Sequence, residues 1–337
     1  MKRLLFTFCL LPLAAPAQAG DKGRPTLGTI ERHDPRFDKL VPKGAKLEIL
    51  AKGFKWTEGP CWIKSGGFLV FSDIPNNAIN KWKEGEGLTK NFIFPAGYTG
   101  KKERGGEPGT NGLMLDADGN LVVCEHGDRR VSKIDLKTMK RTTLADKYKG
   151  KRFNSPNDLC FHSNGDLYFT DPPYGLEKNW DDEARELDFC GVYLLKKDGK
   201  LILLTKEMTR PNGIVLSPDE KTLYVANSDP KIAIWNAFPV KSDGTLGAAK
   251  LFFDSTKWVG KEKPGLPDGM KVDAAGNLFA TGPGGVHVFA PDGTLLGTLA
   301  TGVPTANCCF GEDGMTLFVA ANDQICRIRL TTKGKGF

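Results

Sequence analysis

One pattern of polar and apolar positions recurs six times along the chain. Each copy begins with a polar residue, called here the head residue, and runs through an apolar stretch and an Asp/Gly-rich turn into an alternating apolar strand. The six head residues are Glu58, Asn111, Asn157, Asn212, Asp268 and Asn307. They are separated by 53, 46, 55, 56 and 39 residues. Repeats of this length are typical of four-stranded blades around a channel, so the pattern predicts an all-β, six-bladed β-propeller.

A segment before the first copy completes the predicted ring. Residues 46–51 read Lys-Leu-Glu-Ile-Leu-Ala and would pair with residues 325–329 in the last blade. An eight-stranded sandwich is the alternative, but it would not explain six matched head residues. Residues 176–190 contain neither Gly nor Pro. They predict a surface insertion near one channel mouth, with the only helical turn of the chain.

Composition agrees with many short strands. The chain of 337 residues contains 40 Gly and 21 Pro, which disfavours a helical bundle or a coiled coil. The apolar share of 40% is enough for a packed core and excludes wholesale disorder.

The N-terminus predicts export. It reads Met1-Lys2-Arg3, then an apolar run over residues 4–13, then Ala-Gln-Ala at residues 17–19. These features predict a secretory signal peptide over residues 1–19, which leaves residues 20–337 as a single propeller domain. The run is too short to span a bilayer and no other segment is long and apolar enough to cross one, so we expect no membrane association. If the source is a Gram-negative bacterium, the expected location is the periplasm.

Charge and cysteine content restrict the partners further. The formal net charge of +7 is scattered, which argues against a nucleic-acid partner but would help to attract an anionic substrate. Seven cysteines follow residue 19, without a Cys-x-x-Cys pair. Most lie in apolar runs and are predicted to be small buried residues, although export would permit a disulfide. The adjacent Cys308 and Cys309 should point to opposite faces of a strand.

The head residues also predict a site. If each occupies the same place in its blade, all six converge around the axis. Every one carries a side-chain oxygen, and the set of two carboxylates and four amides favours Ca²⁺, with Zn²⁺ and Mn²⁺ as alternatives. The competing interpretation is that Asn-Gly and Asp-Gly are ordinary turn dipeptides. That interpretation is weaker for Glu58 and Asn307, which do not form such dipeptides.

Four motifs, in order, carry a resemblance to a known family. They are Thr57-Glu58-Gly59-Pro60, the stretch Arg-Phe-Asn-Ser-Pro-Asn-Asp at 152–158, Arg210-Pro211-Asn212-Gly213, and Pro267-Asp268-Gly269-Met270. Together they resemble the gluconolactonase/senescence-marker-protein (regucalcin-like) family. The strings at 124–130 and 169–175 are similar to the bacterial gluconolactonase branch. The resemblance extends from about residue 48 to residue 330.

The resemblance implies a six-bladed propeller with one divalent cation on the axis. The metal ligands of the family match Glu58, Asn157, Asn212 and Asp268, and Asp268 also matches the residue given the general-base role. One departure concerns substrate binding. Where regucalcin-like members have an Arg two residues before the second ligand, this chain has Ser155, and Arg152 is a candidate to replace it.

Three further residues are candidates for the site. Asn111 is a head residue without a matching ligand, so it is a candidate for binding substrate hydroxyls, and Tyr174 is a candidate for the pocket wall. His126 follows the inner strand of the second blade and could face the mouth, bind substrate or move a proton. Its alternative is a solvated loop histidine. No Gly-x-Ser-x-Gly elbow and no nucleotide-binding Gly-rich loop occur in the sequence.

The leading functional hypothesis is metal-dependent hydrolysis of a sugar lactone similar to glucono-1,5-lactone, giving the aldonic acid. The cation would polarise the carbonyl, and Asp268 would activate water. The alternatives are a phosphotriesterase-like or strictosidine-synthase-like propeller hydrolase and a non-catalytic calcium-binding propeller. The sequence leaves open the lactone, its ring size, the native metal and the oligomeric state.

Overall fold

The ring is built from short antiparallel strands. A computed structural model describes residues 23–337, so the predicted signal peptide at residues 1–19 lies outside the described residues. In chain order the strands are β1 (Thr29–Arg32), β2 (Glu48–Lys52), β3 (Thr57–Ile63), β4 (Phe68–Asp73), β5 (Ala78–Lys83), β6 (Gly87–Ile93), β7 (Thr110–Leu115), β8 (Leu121–Glu125), β9 (Arg130–Ile134), β10 (Arg141–Ala145), β11 (Lys147–Tyr148), β12 (Lys151–Arg152), β13 (Leu159–Phe161), β14 (Leu167–Asp171), β15 (Gly191–Leu195), β16 (Leu201–Thr205), β17 (Pro211–Leu216), β18 (Thr222–Asp229), β19 (Ile232–Pro239), β20 (Lys250–Asp254), β21 (Met270–Val272), β22 (Leu278–Gly282), β23 (Gly285–Phe289), β24 (Leu295–Ala300), β25 (Thr305–Gly311), β26 (Thr316–Ala321) and β27 (Gln324–Arg329).

These strands form six blades and one small hairpin. The blades are β3–β6, β7–β10, β13–β16, β17–β20, β21–β24 with β1 as a fifth strand, and β25–β27 with β2. Strands β11 and β12 pair separately. The first strand of each blade is innermost, and β3, β7, β13, β17, β21 and β25 contact one another around the ring. The six-bladed β-propeller predicted from the repeat is confirmed.

The ring closes in the last blade. Strand β2 pairs antiparallel with β27, so that Glu48 lies opposite Arg327 and Lys52 opposite Gln324. The closure predicted from residues 46–51 is therefore confirmed. Strand β1 was not predicted. It extends the fifth blade by pairing with β24, with Thr29 opposite Ala300.

The hydrophobic core is divided into six parts, one between each pair of neighbouring blades. Alternation along each strand produces this division, because successive side chains point to opposite faces of a sheet. Cys308 packs between the fifth and sixth blades, whereas Cys309 packs between the sixth and the first. All seven cysteines within residues 23–337 are buried and free, as expected for small apolar residues.

Helical structure within the described residues is limited to four 3₁₀ segments. They are Pro35–Lys39, Ile74–Asn76, Asn179–Asp181 and Thr256–Trp258. The insertion at 176–190 contains one of them, but the prediction that it would be the only helical turn is wrong. Two of the other segments contain a Pro in their first turn, where its fixed φ suits helical geometry. Between residues 23 and 337 no helix has both the length and the apolar character needed to cross a bilayer.

Candidate active site

The six head residues lie where the inner strands begin. Four of them are within strands β3, β7, β17 and β25, and the other two, Asn157 and Asp268, lie two residues before β13 and β21. Five of them are buried, with at most 4% of the residue exposed, and Asp268 is partly exposed although its Oδ1 atom is buried. Because the inner strands contact one another around the ring, the head residues face the channel from six sides. The convergence predicted from the repeat is thus present in the structure.

The glycine that follows a head residue lets two blades approach closely. A Cβ added to Gly59 would lie 2.0 Å from the carbonyl oxygen of Asn111, and one added to Gly213 would lie 2.1 Å from that of Asp268. Both distances are far below any real Cβ contact. A larger residue here would push neighbouring head residues apart, so these glycines set the width of the channel.

Hydroxyl groups on the second strand of several blades hold the next head residue in place. Ser72 Oγ donates to the carbonyl oxygen of Asn111 at 2.9 Å, and Thr170 Oγ1 donates to that of Asn212 at 2.7 Å. Each hydroxyl is fully buried. The backbone of the site is therefore fixed from blade to blade, independently of any ligand.

A pocket of about 550 Å³ opens above the head residues. Its polar lining comes from Glu58, Glu107, Asn111, Asn212 and Asp268. Its apolar wall comes from Trp56, Tyr174, Val259, Leu266 and Pro304. A concave, largely apolar pocket with a few converging polar groups is the usual form of a small-molecule site.

Several buried side-chain oxygens at this site have no hydrogen-bond partner. They are Oδ1 of Asn111, Asn157, Asn212 and Asp268. An unpaired buried acceptor costs about 1–3 kcal/mol, so a group of four is unusual in a folded protein. Four unpaired oxygens around one channel are expected if a cation, a substrate or both satisfy them.

Asn307 differs from the other head residues. Its Nδ2 donates to Glu58 Oε2 at 3.1 Å and lies 3.5 Å from Oδ2 of Asp158, while its Oδ1 accepts from the backbone of Cys308. The amide is thus fully used within the protein. Asn307 holds the Glu58 carboxylate in place instead of offering a free oxygen.

Three carboxyl groups, those of Glu58, Asp158 and Asp268, lie in the channel, and no head residue carries a positive charge to balance them. Burial is the main cause that raises the pKa of Glu58, and the nearby Asp158 adds to it. Burial also raises the pKa of Asp268, with Glu58 as the next contributor. The pKa of Asp158 is raised by burial, although Lys271 opposes the shift. A bound cation would favour the ionised form of each carboxyl group.

The donor set fits a hard divalent cation. Across residues 23–337 no group of three His, Cys, Asp or Glu side chains is placed to hold a metal. A cation would therefore depend on amide oxygens as well as carboxylates. Free oxygens of Asn157, Asn212 and Asp268 together with Glu58 provide this combination, which suits Ca²⁺ better than a metal that prefers imidazole or thiolate.

The predicted substrate-binding residues fall into two groups. Asn111 and Tyr174 line the pocket, and the Tyr174 hydroxyl donates to the carbonyl oxygen of Ser228 at 3.3 Å. Arg152 does not line it. Its backbone N–H donates to Glu186 and its guanidinium donates to the carbonyl oxygen of Asp128. The structure thus brings Asn111 and Tyr174, but not Arg152, to the pocket.

His126 lies behind the pocket wall. Its side chain is completely buried, which excludes the solvated loop histidine, and it does not line the pocket. Glu107 lines the pocket instead, with 35% of its side chain exposed. Its Oε2 lies 3.2 Å from Nδ1 of His126. A catalytic role for His126 stays a prediction, and its position suggests contact with the site through Asn157.

Sequence reasoning missed Glu107, Trp56 and Asp158. Asp158 stands where several other copies have Gly after the head residue, and Trp56 stands two residues before Glu58, so both could have been found from the repeat. Glu107 lies in the connection between the first and second blades, outside the repeated pattern of head residue, turn and strand. No repeat signal marks it.

Comparison with known proteins decides the family. Residues 56–323 match the family described as SMP-30/Gluconolactonase/LRE-like region. The chain belongs to this family. A gluconolactonase of Zymomonas mobilis is 42% identical over 332 residues, covering 95% of this chain and 91% of that protein.

Two further relatives bear on the activity. The structure of a gluconolactonase from Xanthomonas campestris superposes with a TM-score of 0.76 at 30% identity, covering 91% of this chain and 97% of that one. A diisopropyl-fluorophosphatase of Loligo vulgaris is 26% identical and covers 70% of this chain and 75% of that protein. The chain is an enzyme, a hydrolase of the lactonase class, which rules against the non-catalytic calcium-binding alternative.

Proposed function

We propose that the protein hydrolyses a sugar lactone similar to glucono-1,5-lactone to the aldonic acid, with a divalent cation held by Glu58, Asn157, Asn212 and Asp268. The observation that carries the proposal is the set of buried, unpaired oxygens on Asn157, Asn212 and Asp268, the last two of which line the pocket. Ca²⁺ is the cation that this oxygen set favours, with Zn²⁺ and Mn²⁺ as alternatives.

The cation, when bound, supplies the positive charge that polarises the lactone carbonyl and stabilises the negative charge that develops on its oxygen. The residues position the other reactants. Asp268 accepts a proton from water while the water oxygen adds to the carbonyl carbon. The bond between that carbon and the ring oxygen then breaks, and the proton passes from Asp268 to the ring oxygen, which becomes a hydroxyl group.

The remaining residues of the pocket orient the sugar. The unpaired Oδ1 of Asn111 is available to a substrate hydroxyl. Trp56 and Tyr174 form an apolar wall against which a sugar ring can pack, and they limit access of bulk water. Asn307 keeps the Glu58 carboxylate directed into the channel.

The test is direct. Purified protein, stripped of metal and reloaded with Ca²⁺, Zn²⁺ or Mn²⁺ in turn, should accelerate opening of glucono-1,5-lactone above the spontaneous rate, measured by acid release at constant pH. No acceleration with any of these cations, or the same acceleration without them, would contradict the proposal.

The similarity to a diisopropyl-fluorophosphatase supports a second candidate activity at the same site. The same oxygen set could hold a cation beside a phosphoryl oxygen instead of a carbonyl oxygen. A panel of sugar lactones and organophosphate triesters separates the two. We expect the higher kcat/KM on a lactone, and a higher value on a triester would reverse the order.

A further inference from the structure

A line of polar contacts reaches one proposed cation ligand from behind the pocket wall. Glu107 lines the pocket, and its Oε2 lies 3.2 Å from Nδ1 of the fully buried His126. On the other side of the ring, Nε2 of His126 lies 3.5 Å from Nδ2 of Asn157. One imidazole therefore stands between a carboxylate and an amide that has its oxygen unpaired in the channel.

The hydrogen atoms on this line can be assigned from the partners. Nδ1 of His126 makes no hydrogen bond within the described residues, and the Glu107 carboxylate lies 3.2 Å from it. Because a carboxylate only accepts hydrogen bonds, this neighbour favours the proton on Nδ1. In a neutral imidazole the other nitrogen, Nε2, is then an acceptor and can receive an N–H of Asn157. This arrangement directs the N–H groups of the Asn157 amide toward His126 and its oxygen away from it.

The orientation matters because an amide can turn by 180° with almost no change in shape. The backbone of Asn157 is already fixed, since its N–H donates to Thr170 at 2.9 Å and its carbonyl accepts from Gly112 at 2.7 Å. Only the side-chain amide is left to choose between oxygen and nitrogen. If it turned, an N–H group would face a cation that requires an oxygen.

His126 itself has little freedom to move. Its backbone N–H donates to the carbonyl oxygen of Gly109 at 3.1 Å. A Cβ added to Gly175 would lie 2.5 Å from the Cβ of His126, which shows how closely the loop after β14 packs against it. The ring is thus fixed between Glu107 and Asn157.

We propose that Glu107 and His126 are positioning residues that select one orientation of the Asn157 amide and so prepare its oxygen as a cation ligand. The proposal rests on the proposed cation site but concerns residues to which the family resemblance assigns no such role. Partners of metal ligands typically change affinity by about 10–100-fold when they are removed.

The tautomer of His126 is measured first, because it needs neither a cation nor activity. Two-bond ¹H–¹⁵N spectra of the metal-free protein report which ring nitrogen of a histidine carries the proton. The His126 signals are assigned by their loss in the His126→Gln variant. We expect Nδ1–H. A proton on Nε2 would overturn the proposal whether or not the protein binds a cation or opens a lactone.

Calorimetry then measures Ca²⁺ affinity in His126→Phe, which keeps the ring but removes the acceptor. We expect a loss of about 10–100-fold. His126→Gln places an amide oxygen near the former Nε2 and should restore most of the affinity. His162→Gln is the matched control, since His162 also lies beside a glutamate, Glu220, at 3.4 Å but away from the pocket. Unchanged affinity in a folded His126→Phe protein would contradict the proposal.

A double-mutant cycle separates orientation from general packing. Aspartate at position 157 has two oxygens and needs no orientation, so in an Asn157→Asp background His126→Phe should cost at most about threefold in affinity. Equal losses in both backgrounds would mean that His126 acts by packing alone. If His126→Phe fails to fold, Glu107→Leu takes its place in the same cycle, and Glu107→Gln, which keeps an acceptor oxygen, is its control.

Discussion

The two ends of the channel are built from the same inner strands but differ in how their polar groups are used. The upper end, where the inner strands begin, contains the pocket of about 550 Å³ and buried oxygens without partners. The lower end, formed by the second halves of those strands and by the C-terminal residues, encloses about 370 Å³. There Lys271 and Lys335 each donate to a backbone carbonyl oxygen at 3.0 Å, and Lys64 donates to that of Gly336.

The polar groups at the lower end of the channel contribute to stability, whereas those at the upper end are available for function. Paired polar groups at the lower end gain their hydrogen bonds on folding, so they need no ligand. The unpaired oxygens at the upper end reduce stability until something binds them, which is typical of sites prepared for a ligand. Equivalent chemical changes at the two ends should therefore have different consequences.

The same Asp-to-Asn change at the two ends gives the largest expected contrast. Asp268→Asn removes the proposed base, so turnover on a sugar lactone should fall on the order of a hundredfold or more. Asp116→Asn is the matched change at the lower cavity and should leave turnover within about twofold, since Asp116 orders its own turn and pairs with Lys133, away from the upper pocket. Steady-state kinetics on folded, cation-loaded proteins decides. Full turnover in Asp268→Asn would remove Asp268 from the mechanism.

Glu58→Gln tests the charge at the upper end. The variant keeps the shape and an acceptor for Asn307 but removes one carboxylate, and Ca²⁺ affinity should fall by up to about a hundredfold. The metal-free variant should be at least as stable as the native protein, because a buried carboxyl group is replaced by a neutral one. Calorimetry and denaturant unfolding measure the two effects, with Glu48→Gln in an outer strand as the control. Unchanged affinity would show that Glu58 is not a ligand.

Repetition explains which parts of the site could be predicted from the sequence. Head residues recur at matching points of each copy, so the blades, the ring closure and the convergence of Glu58, Asn212 and Asp268 all follow from one pattern. The repeat could not distinguish Asn307 from the others. Its amide is used by Glu58 and by the backbone of Cys308, and these contacts exist only in the folded ring.

Features without a repeat could not be predicted. Glu107 enters the pocket from a connection that lies outside the repeated pattern, and β1 pairs with β24 although the two are more than 260 residues apart in the chain. Arg152 was a candidate from local spacing alone, but its guanidinium is taken by the carbonyl oxygen of Asp128. Contacts of this kind depend on tertiary packing, which a local pattern does not contain.

Both ends of the channel depend on folded blades, and His287 limits the pH range over which the blades are stable. Burial lowers the pKa of His287 to about 4 from its ordinary 6.5. Between these values the unfolded chain binds a proton that the native protein does not, so stability falls as pH falls. The expected loss is about 2 kcal/mol between pH 6.5 and pH 5.

Denaturant unfolding at several pH values measures this loss. His287→Gln should show a shallower slope below pH 6.5, whereas His33→Gln, which changes an exposed histidine, should keep the native slope. The same slope in His287→Gln and the native protein would show that another group causes the pH dependence.

The smallest expected effect comes from the C-terminal residues at the lower end. Deleting residues 335–337 removes the bond from the Lys335 N–H to Val272 and the Lys335–Glu220 ion pair. It also removes the Lys335 bond to Ser217, the Lys64 bond to Gly336 and the packing of Phe337 against Lys64. The side-chain contacts among these are exposed or partly buried, so the free energy of unfolding should fall by only about 1–2 kcal/mol. Turnover and Ca²⁺ affinity should stay within about twofold, because none of the removed groups lines the upper pocket. A tenfold loss of either in the folded truncated protein would mean that the two ends of the channel are coupled, since the deletion touches only the lower one.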